Sequence, residues 1–341
     1  RRGVGIAWGG FNVTEGGGDS AEVALELMPG NKIRKYDTWH AMGQGATTGS
    51  LVVTLEALKE MHLTPEDIQL IQNDTKTCPD TGMAGASRSL YMDGNATIIA
   101  ANKLLAAMRK EDGTLRTYDE MKAEGIETKY LGRYETNTTP GLCRLDPNTG
   151  IGDPTPAFTY CLNLAEVEVD TKTGKTTVLK FTCVDFVGRI GNIDAVNGQA
   201  YSGIMHGIGF ALKEDYADVK KHANMFGAGT SYIKDVPDDI NLIHIDGAIS
   251  DGPFGSSGAS EAFQASGHCA VLNGIYNACG VRIHEIPALP EKVKAGLDAI
   301  AKGEKPYEPK KYFLGSDMYE ELENIKENPV QVGTQSFYVS L

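Results

Sequence analysis

Glu261 has the clearest claim to acid–base chemistry in this sequence. It follows the loop of "GPFGSSGASEAFQ" (252–264), where three glycines, three serines and a proline precede the carboxylate. Glycines let a backbone approach a ligand closely, and the first amides of a helix present unpaired donors. The run "EAFQASGHCAVLNGIYNACG" repeats small and apolar residues at helical spacing, so the loop is expected to feed a helix N-terminus. The combination predicts a cradle for an anionic group with one carboxylate at its edge. A glutamate at a helix start also favours the helix dipole for purely structural reasons. Glu261 alone therefore decides little.

Three other segments share this build. "GQGATTG" (43–49) lies at a predicted strand-to-helix junction and fits neither the Walker pattern nor the dinucleotide G-x-G-x-x-G. A phosphate loop and a plain turn both suit it. Gln44 stands between two of its glycines, and its amide carries two donors and an acceptor. "GASRSLYMDG" (85–94) brings small residues and hydroxyls to a helix start, and its Arg88 suits a phosphate or a surface salt bridge equally. Gln199, inside "AVNGQAYSGIMHGIGFAL", is either a structural hydrogen-bonder or a ligand contact.

Little else competes. The six cysteines (78, 143, 161, 183, 269 and 279) include no C-x-x-C pair, which removes the signatures of a zinc ribbon or an iron–sulfur site within this chain. Most read as small buried side chains in a reducing compartment. The seven histidines include no i, i+4 pair, so no protein-ligated metal is expected. "GSSG" is not the G-x-S-x-G elbow. A formal charge of −13 argues against a nucleic-acid footprint or an anionic membrane surface. No apolar run approaches the roughly 18–20 residues that span a bilayer. A nicotinamide dehydrogenase is disfavoured, since no strand-coupled G-x-G-x-x-G with a downstream acid is present.

The elements that must position these loops alternate irregularly. The opening segment reads as two or three strands, with "AEVALEL" alternating and "PGNK" a turn. "SLVVTLEALKEMHL" predicts a helix, Thr64 and Pro65 start another, "IQLIQND" is a short strand, and a further helix ends near "AANKLLAAMRK". Residues 110–160 read as a loop-rich seam. "LAEVEVDTKTGKTTVLKFTCVD" predicts a hairpin around "TKTGK". A helix holding Gly198, Gly203, Gly207 and Gly209 loses about 1 kcal/mol per glycine and requires close packing in return. Hairpins without a regular βαβ beat predict an α+β fold of two lobes, 1–160 and 161–300. Residues 301–341 form a polar, proline-bearing tail with one short helix after Ser316, expected to wrap over a surface or a partner.

"MGQGATTGSL", "DTKTCPDTGMAGASRS", "NGQAYSGIMHGIGFAL" and "GPFGSSGASEAFQ", in that order, resemble the C-terminal half of the molybdenum-binding region of the xanthine oxidase family. The resemblance is to the type found in aldehyde oxidoreductases of sulfate reducers, and it extends over roughly residues 1–300. It implies a two-lobed molybdenum cofactor domain binding molybdopterin cytosine dinucleotide, with molybdenum held by the pterin dithiolene and not by side chains. It assigns the pterin and its phosphates to Gly43, Gln44, Gly45, Ala46, Thr47 and Thr48, and to Ser87, Arg88, Ser89, Leu90, Tyr91 and Met92. Gln199 would approach the metal's ligands, Ser257, Gly258, Ala259 and Ser260 would border the metal, and Glu261 would be the base beside it.

The activity implied is oxidation of aldehydes to carboxylic acids with water as oxygen source. Two alternatives stay open: a molybdenum hydroxylase of nitrogen heterocycles, and a non-catalytic half-domain completing a partner's cofactor site. The resemblance also implies that [2Fe-2S] clusters and the first half of the molybdenum region lie in other polypeptide, upstream or in a subunit. The chain alone is then expected to be inactive. An oligomer in the cytoplasm is expected, with the periplasm left open.

Overall fold

A computed structural model describes residues 1–14, 19–72, 74–136, 146, 148–152, 155–304 and 323–328. Alternating sequence becomes eight strands in two four-stranded sheets. One sheet holds β1 (Arg2–Val13), β6 (Ala157–Val169), β7 (Thr176–Phe186) and β8 (Asp239–His244), in the order β1-β6-β7-β8. The other holds β2 (Ser20–Met28), β3 (Lys32–Asp37), β4 (Ile68–Gln72) and β5 (Lys129–Glu135), in the order β4-β3-β2-β5. The β3–β4 and β7–β8 pairs are parallel and the rest antiparallel, so the fold is α+β. The "TKTGK" hairpin joins β6 to β7 as its alternation requires.

Among the described residues the named helices are α1 (Ala46–Ala57), α2 (Arg88–Met108), α3 (Tyr118–Ala123), α4 (Ile193–Leu212), α5 (Met225–Ala228), α6 (Ser260–Gln264), α7 (Gly267–Cys279) and α8 (Pro290–Ala301). Among the described residues none is long and apolar enough to cross a membrane. Val167, Phe181, Ile204, Phe263 and Ile275 anchor the core of the first sheet, and Leu25, Ile33, Leu104 and Met108 that of the second. Val13, Val23, Tyr91, Met92 and Ile249 fill a third cluster.

Three local features differ from the sequence expectation. β1, first in the chain, pairs along its whole length with β6 and so belongs to the sheet of the later residues. Its Gly3 and Gly5 allow this, because a Cβ at either would overlap the backbone of α7. Residues 110–160 hold α3, β5 and the start of β6 as well as loops. Gly132 hides β5 in the sequence, yet it lets the strand touch the Ala96 carbonyl of α2. Finally, the helical run after Glu261 is broken between α6 and α7 at Ser266, whose hydroxyl donates to the Ala7 carbonyl (3.4 Å) and accepts from Asn163 Nδ2 (3.0 Å).

The glycines of α4 are explained by contact. A Cβ at Gly203 would meet Phe263 at 2.5 Å, and one at Gly207 would meet Gly267 at 3.0 Å. Backbone-to-backbone packing on α6 and α7 replaces what intrinsic propensity loses. Of the 301–341 tail, residues 323–327 are helical, and residues 305–322 and 329–341 lie outside the described residues.

Candidate functional site

The loops ahead of α1, α2, α4 and α6 open on one cavity of about 710 Å³. Each is shaped by a backbone exception. Gly45 takes φ +86° to start α1, a conformation that costs glycine little. Before α2 the chain uses Ala86 and Ser87 at φ +51° and +49°, which for side-chain-bearing residues is strained. Contacts hold this strained turn. Thr14 N–H donates to the Ala86 carbonyl (3.0 Å), and Ser87 N–H donates to Glu261 Oε1 (3.2 Å). Ser87 Oγ donates to Glu261 Oε2.

Glu261 therefore clamps the 252–261 loop onto the start of α2. Gly258 makes the crossing possible, since a Cβ there would overlap the Ser87 carbonyl oxygen. One residue before the glutamate, Ser260 Oγ donates to Gln199 Oε1 at 2.8 Å, tying α6 to α4. Gly188 bridges to Ser256, and Arg189 N–H donates to the Gly255 carbonyl at 2.8 Å, which fixes the far side of the loop. Asn192 caps α4 by accepting from Ala195 N–H at 3.0 Å.

One atom tests whether this cavity suits a polar ligand. Ser257 is 5% exposed and lines the cavity, and its hydroxyl has no hydrogen-bond partner among the described residues. An unmet buried polar group costs about 1–3 kcal/mol. A polar group seated in the cavity would remove that cost. The donor set also fits an elongated anionic cofactor, because α1, α2 and α4, of 12, 21 and 20 residues, all begin at the cavity wall.

Of the residues singled out in the sequence, Gln44, Gly45, Ala46, Ser87, Ser89, Leu90, Gln199 and the run Ser257–Glu261 line the cavity. Gly43, Thr47 and Thr48 flank it without lining it, and Thr47 Oγ1 donates to Gln72 Oε1 (3.3 Å). The Gln44 amide closes its own loop, donating to the His40 carbonyl (2.7 Å) and accepting from Met42 N–H (2.5 Å).

Arg88 fits neither of its two readings. All five of its N–H donors are spent in the interior: two on Asp19, and one each on the Thr81, Met83 and Ser20 carbonyls. It pins α2 to the start of β2 and has no donor left for a phosphate. Tyr91 and Met92 lie fully buried in the cluster with Val13 and Val23, so their side chains turn away from the cavity. Arg189, Asn192 and Ala195 line the cavity and were missed. The signal was available in "VGRIGN", an arginine between glycines just before a helix cap.

A second carboxylate cluster lies inside the β2–β5 lobe. Lys35 Nζ is 2.7 Å from Asp93 Oδ1 and 3.2 Å from Asp37 Oδ2, with all three side chains at 0% exposure. Asp37 also accepts from Ser50 Oγ (2.6 Å) and Gln72 Nε2 (2.7 Å). Burial pushes the Asp93 carboxyl up to about 6, against the pull of Lys35. Among the described residues no group of three or more His, Cys, Asp or Glu side chains is placed to hold a metal ion.

The geometry agrees with what the chain resembles. Residues 1–237 match the model of the molybdopterin cofactor-binding domain. The aldehyde oxidoreductase of Megalodesulfovibrio gigas is 40% identical over 299 residues, which cover 88% of this chain and 33% of that protein. The crystal structure of the aldehyde oxidoreductase from Desulfovibrio desulfuricans superposes with a TM-score of 0.82 at 43% identity, covering 86% of this chain and 32% of that one. CO dehydrogenase from Oligotropha carboxidovorans shares the fold at 16% identity, with a TM-score of 0.73 over 89% of this chain and 41% of that one. The chain spans about a third of the length of the two aldehyde oxidoreductases. It belongs to the molybdopterin cofactor-binding domain family, in the xanthine oxidase group of molybdenum enzymes.

Proposed function

We propose that the chain forms the base-bearing side of a molybdenum cofactor site, in a larger enzyme that oxidises aldehydes to carboxylic acids with water as the oxygen source. The observation that carries this is the position of Glu261: a carboxylate held through both oxygens by Ser87, at the wall of a cavity framed by helix N-termini. Aldehyde and water give carboxylic acid, two protons and two electrons. The cofactor, when bound, supplies the two-electron redox change and the oxygen transfer.

The chain's own residues do the rest. Glu261 takes a proton at its carboxylate, a role worth about 10²–10⁴-fold in rate when the base is positioned. Ser87 fixes the direction of that carboxylate. Gln199 has its Oε1 engaged by Ser260, which leaves its Nε2 to donate toward a polar group in the cavity. The first amides of α1, α2 and α4 and the Ser257 hydroxyl receive the pterin and the phosphates of a cytosine dinucleotide. [2Fe-2S] clusters carried by other polypeptide would take up the two electrons.

The bare face of the first sheet supports a larger assembly. Trp8 (66% exposed) pairs in register with Leu162, Leu162 with Val184, and Val184 with Ile243, so an apolar row crosses all four strands. Trp8, Tyr160 and Phe158 stack along it. Such a band on a chain of net charge −13 suits burial by further protein.

The test is to purify the chain with its co-produced polypeptides and to measure molybdenum, iron, released nucleotide and aldehyde turnover on one sample. A molybdenum-bearing complex that releases cytosine nucleotide and oxidises aldehydes is expected. Aldehyde oxidation by the isolated, monodisperse chain would overturn the dependence on other polypeptide. A loaded complex that turns over nitrogen heterocycles and no aldehyde would overturn the substrate.

A further inference from the structure

We infer that Arg189 anchors the phosphate-bearing end of the bound ligand, an inference that rests on the cofactor reading above. Among the residues lining the cavity, Arg189 is the one lysine, arginine or histidine, beside two acids, Glu56 and Glu261. The buried cations of this acidic chain are paired in place, Lys35 with Asp37 and Asp93 and Arg88 with Asp19. The Arg189 guanidinium has no hydrogen bond or ion pair among the described residues. It is exposed at the cavity wall.

Its main chain, by contrast, is fixed. The Gly188–Ser256 bridge and the bond from Arg189 N–H to the Gly255 carbonyl hold it against the glycine loop. Gly255, at φ +83°, leaves room for the arginine stem, since a Cβ there would sit 3.3 Å from Arg189 Cδ. A pinned backbone with a free guanidinium is a side chain held for a partner outside the described chain.

The surroundings say which partner. α4 begins at Ile193, four residues after Arg189, and the start of α1 stands opposite, close enough that a Cβ on Gly45 would touch Ala195 at 3.4 Å. Two helix N-termini and one guanidinium therefore face the same space, and each favours an anion. The unpartnered, buried Ser257 hydroxyl is an independent sign that the cavity is shaped for a polar ligand.

Distance along α4 then orients it. From the cap Asn192 to Gln199 is seven residues, about 10 Å at the helical rise. A ligand touching both the Asn192 cap and Gln199 is elongated, spanning about 10 Å along α4. Guanidinium meets phosphate oxygens bidentately, which lysine does not reproduce.

Cytidine diphosphate, inorganic pyrophosphate and cytidine serve as probes on the purified chain, by calorimetry. Arg189→Gln should weaken the diphosphate and pyrophosphate about ten- to a hundredfold and leave cytidine unchanged, with Arg189→Lys in between. A second arm measures molybdenum and released nucleotide in the purified complex, and Arg189→Gln should lower both in step. Equal affinity for the charged probes, or equal loading, in wild type and Arg189→Gln overturns the role of Arg189. A wild-type protein that binds neither charged probe and purifies without molybdenum overturns the cofactor reading itself. Because the guanidinium makes no hydrogen bond or ion pair among the described residues, thermal unfolding should not move, and a large drop would also count against a ligand-facing role.

Discussion

Two carboxylate sites, the sealed Asp37–Asp93 cluster and the single Glu261, are built to opposite rules. Asp37 and Asp93 are sealed at 0% exposure around the ammonium of Lys35, with Ser50, Gln72 and Thr97 supplying further bonds. Glu261 is half-buried, has no ion pair among the described residues, and takes both of its hydrogen bonds from one residue, Ser87. A charge that is neutralised in place orders the helices around it. One that is oriented but left facing a cavity can move a proton. The sealed cluster still bears on the site, because Ser50 belongs to α1 and Asp93 to α2, the helices that start at the cavity wall.

The sharpest way to break this contrast is Glu261→Gln in the assembled enzyme. The amide keeps size and reach but cannot accept the proton. Turnover should fall about 10²-fold or more, with molybdenum content and unfolding temperature near those of wild type. A well-loaded variant running at the normal rate would reduce Glu261 to a loop clamp, equivalent to the other cluster.

Lys35→Met is the mirror image. The swap keeps an apolar stem of similar length and strands two buried carboxyl groups. Removing one partner of a buried pair costs about 3–5 kcal/mol. Chemical denaturation should show that loss, while turnover per bound molybdenum stays unchanged. If the rate per molybdenum fell as far as in Glu261→Gln, the two clusters would not be separable into structure and chemistry.

What the sequence makes legible follows the same division. Glycines and hydroxyls at a helix start act within a few residues, so the four loops can be read locally, and all four border one cavity. Which face of α2 looks into that cavity depends on how the helix meets β2 and β5, and no local pattern encodes it. That is why Arg88, Tyr91 and Met92 stand beside Ser87, Ser89 and Leu90 in the motif but bury in the interior. β1 illustrates the same limit in the fold. Its glycines blur the alternation because they serve α7, and its partner lies some 150 residues along the chain. Arg189 is one of 32 lysines and arginines, and only its place on the cavity wall, which no local pattern encodes, sets it apart.

Asp93 offers the smallest and most specific refinement. Its carboxyl is raised from 3.8 to about 6, first by burial, with Asp37 adding to the rise while Lys35 and Thr97 oppose it. The folded chain therefore keeps a proton at Asp93 that the unfolded chain releases between about pH 4 and about pH 6. The stability this group contributes is complete below about pH 4 and is lost as the pH rises through about 6. Each pH unit of that window is worth at most about 1.4 kcal/mol. Asp93→Asn cannot ionise, so the stability of wild type relative to the variant should decline with rising pH across the window and level off above it. Denaturation midpoints of the two proteins over that range measure the slope. A slope of the opposite sign would mean that Asp93 is ionised throughout as the anion of Lys35, and the sealed cluster would then be a plain ion pair with no proton of its own to release.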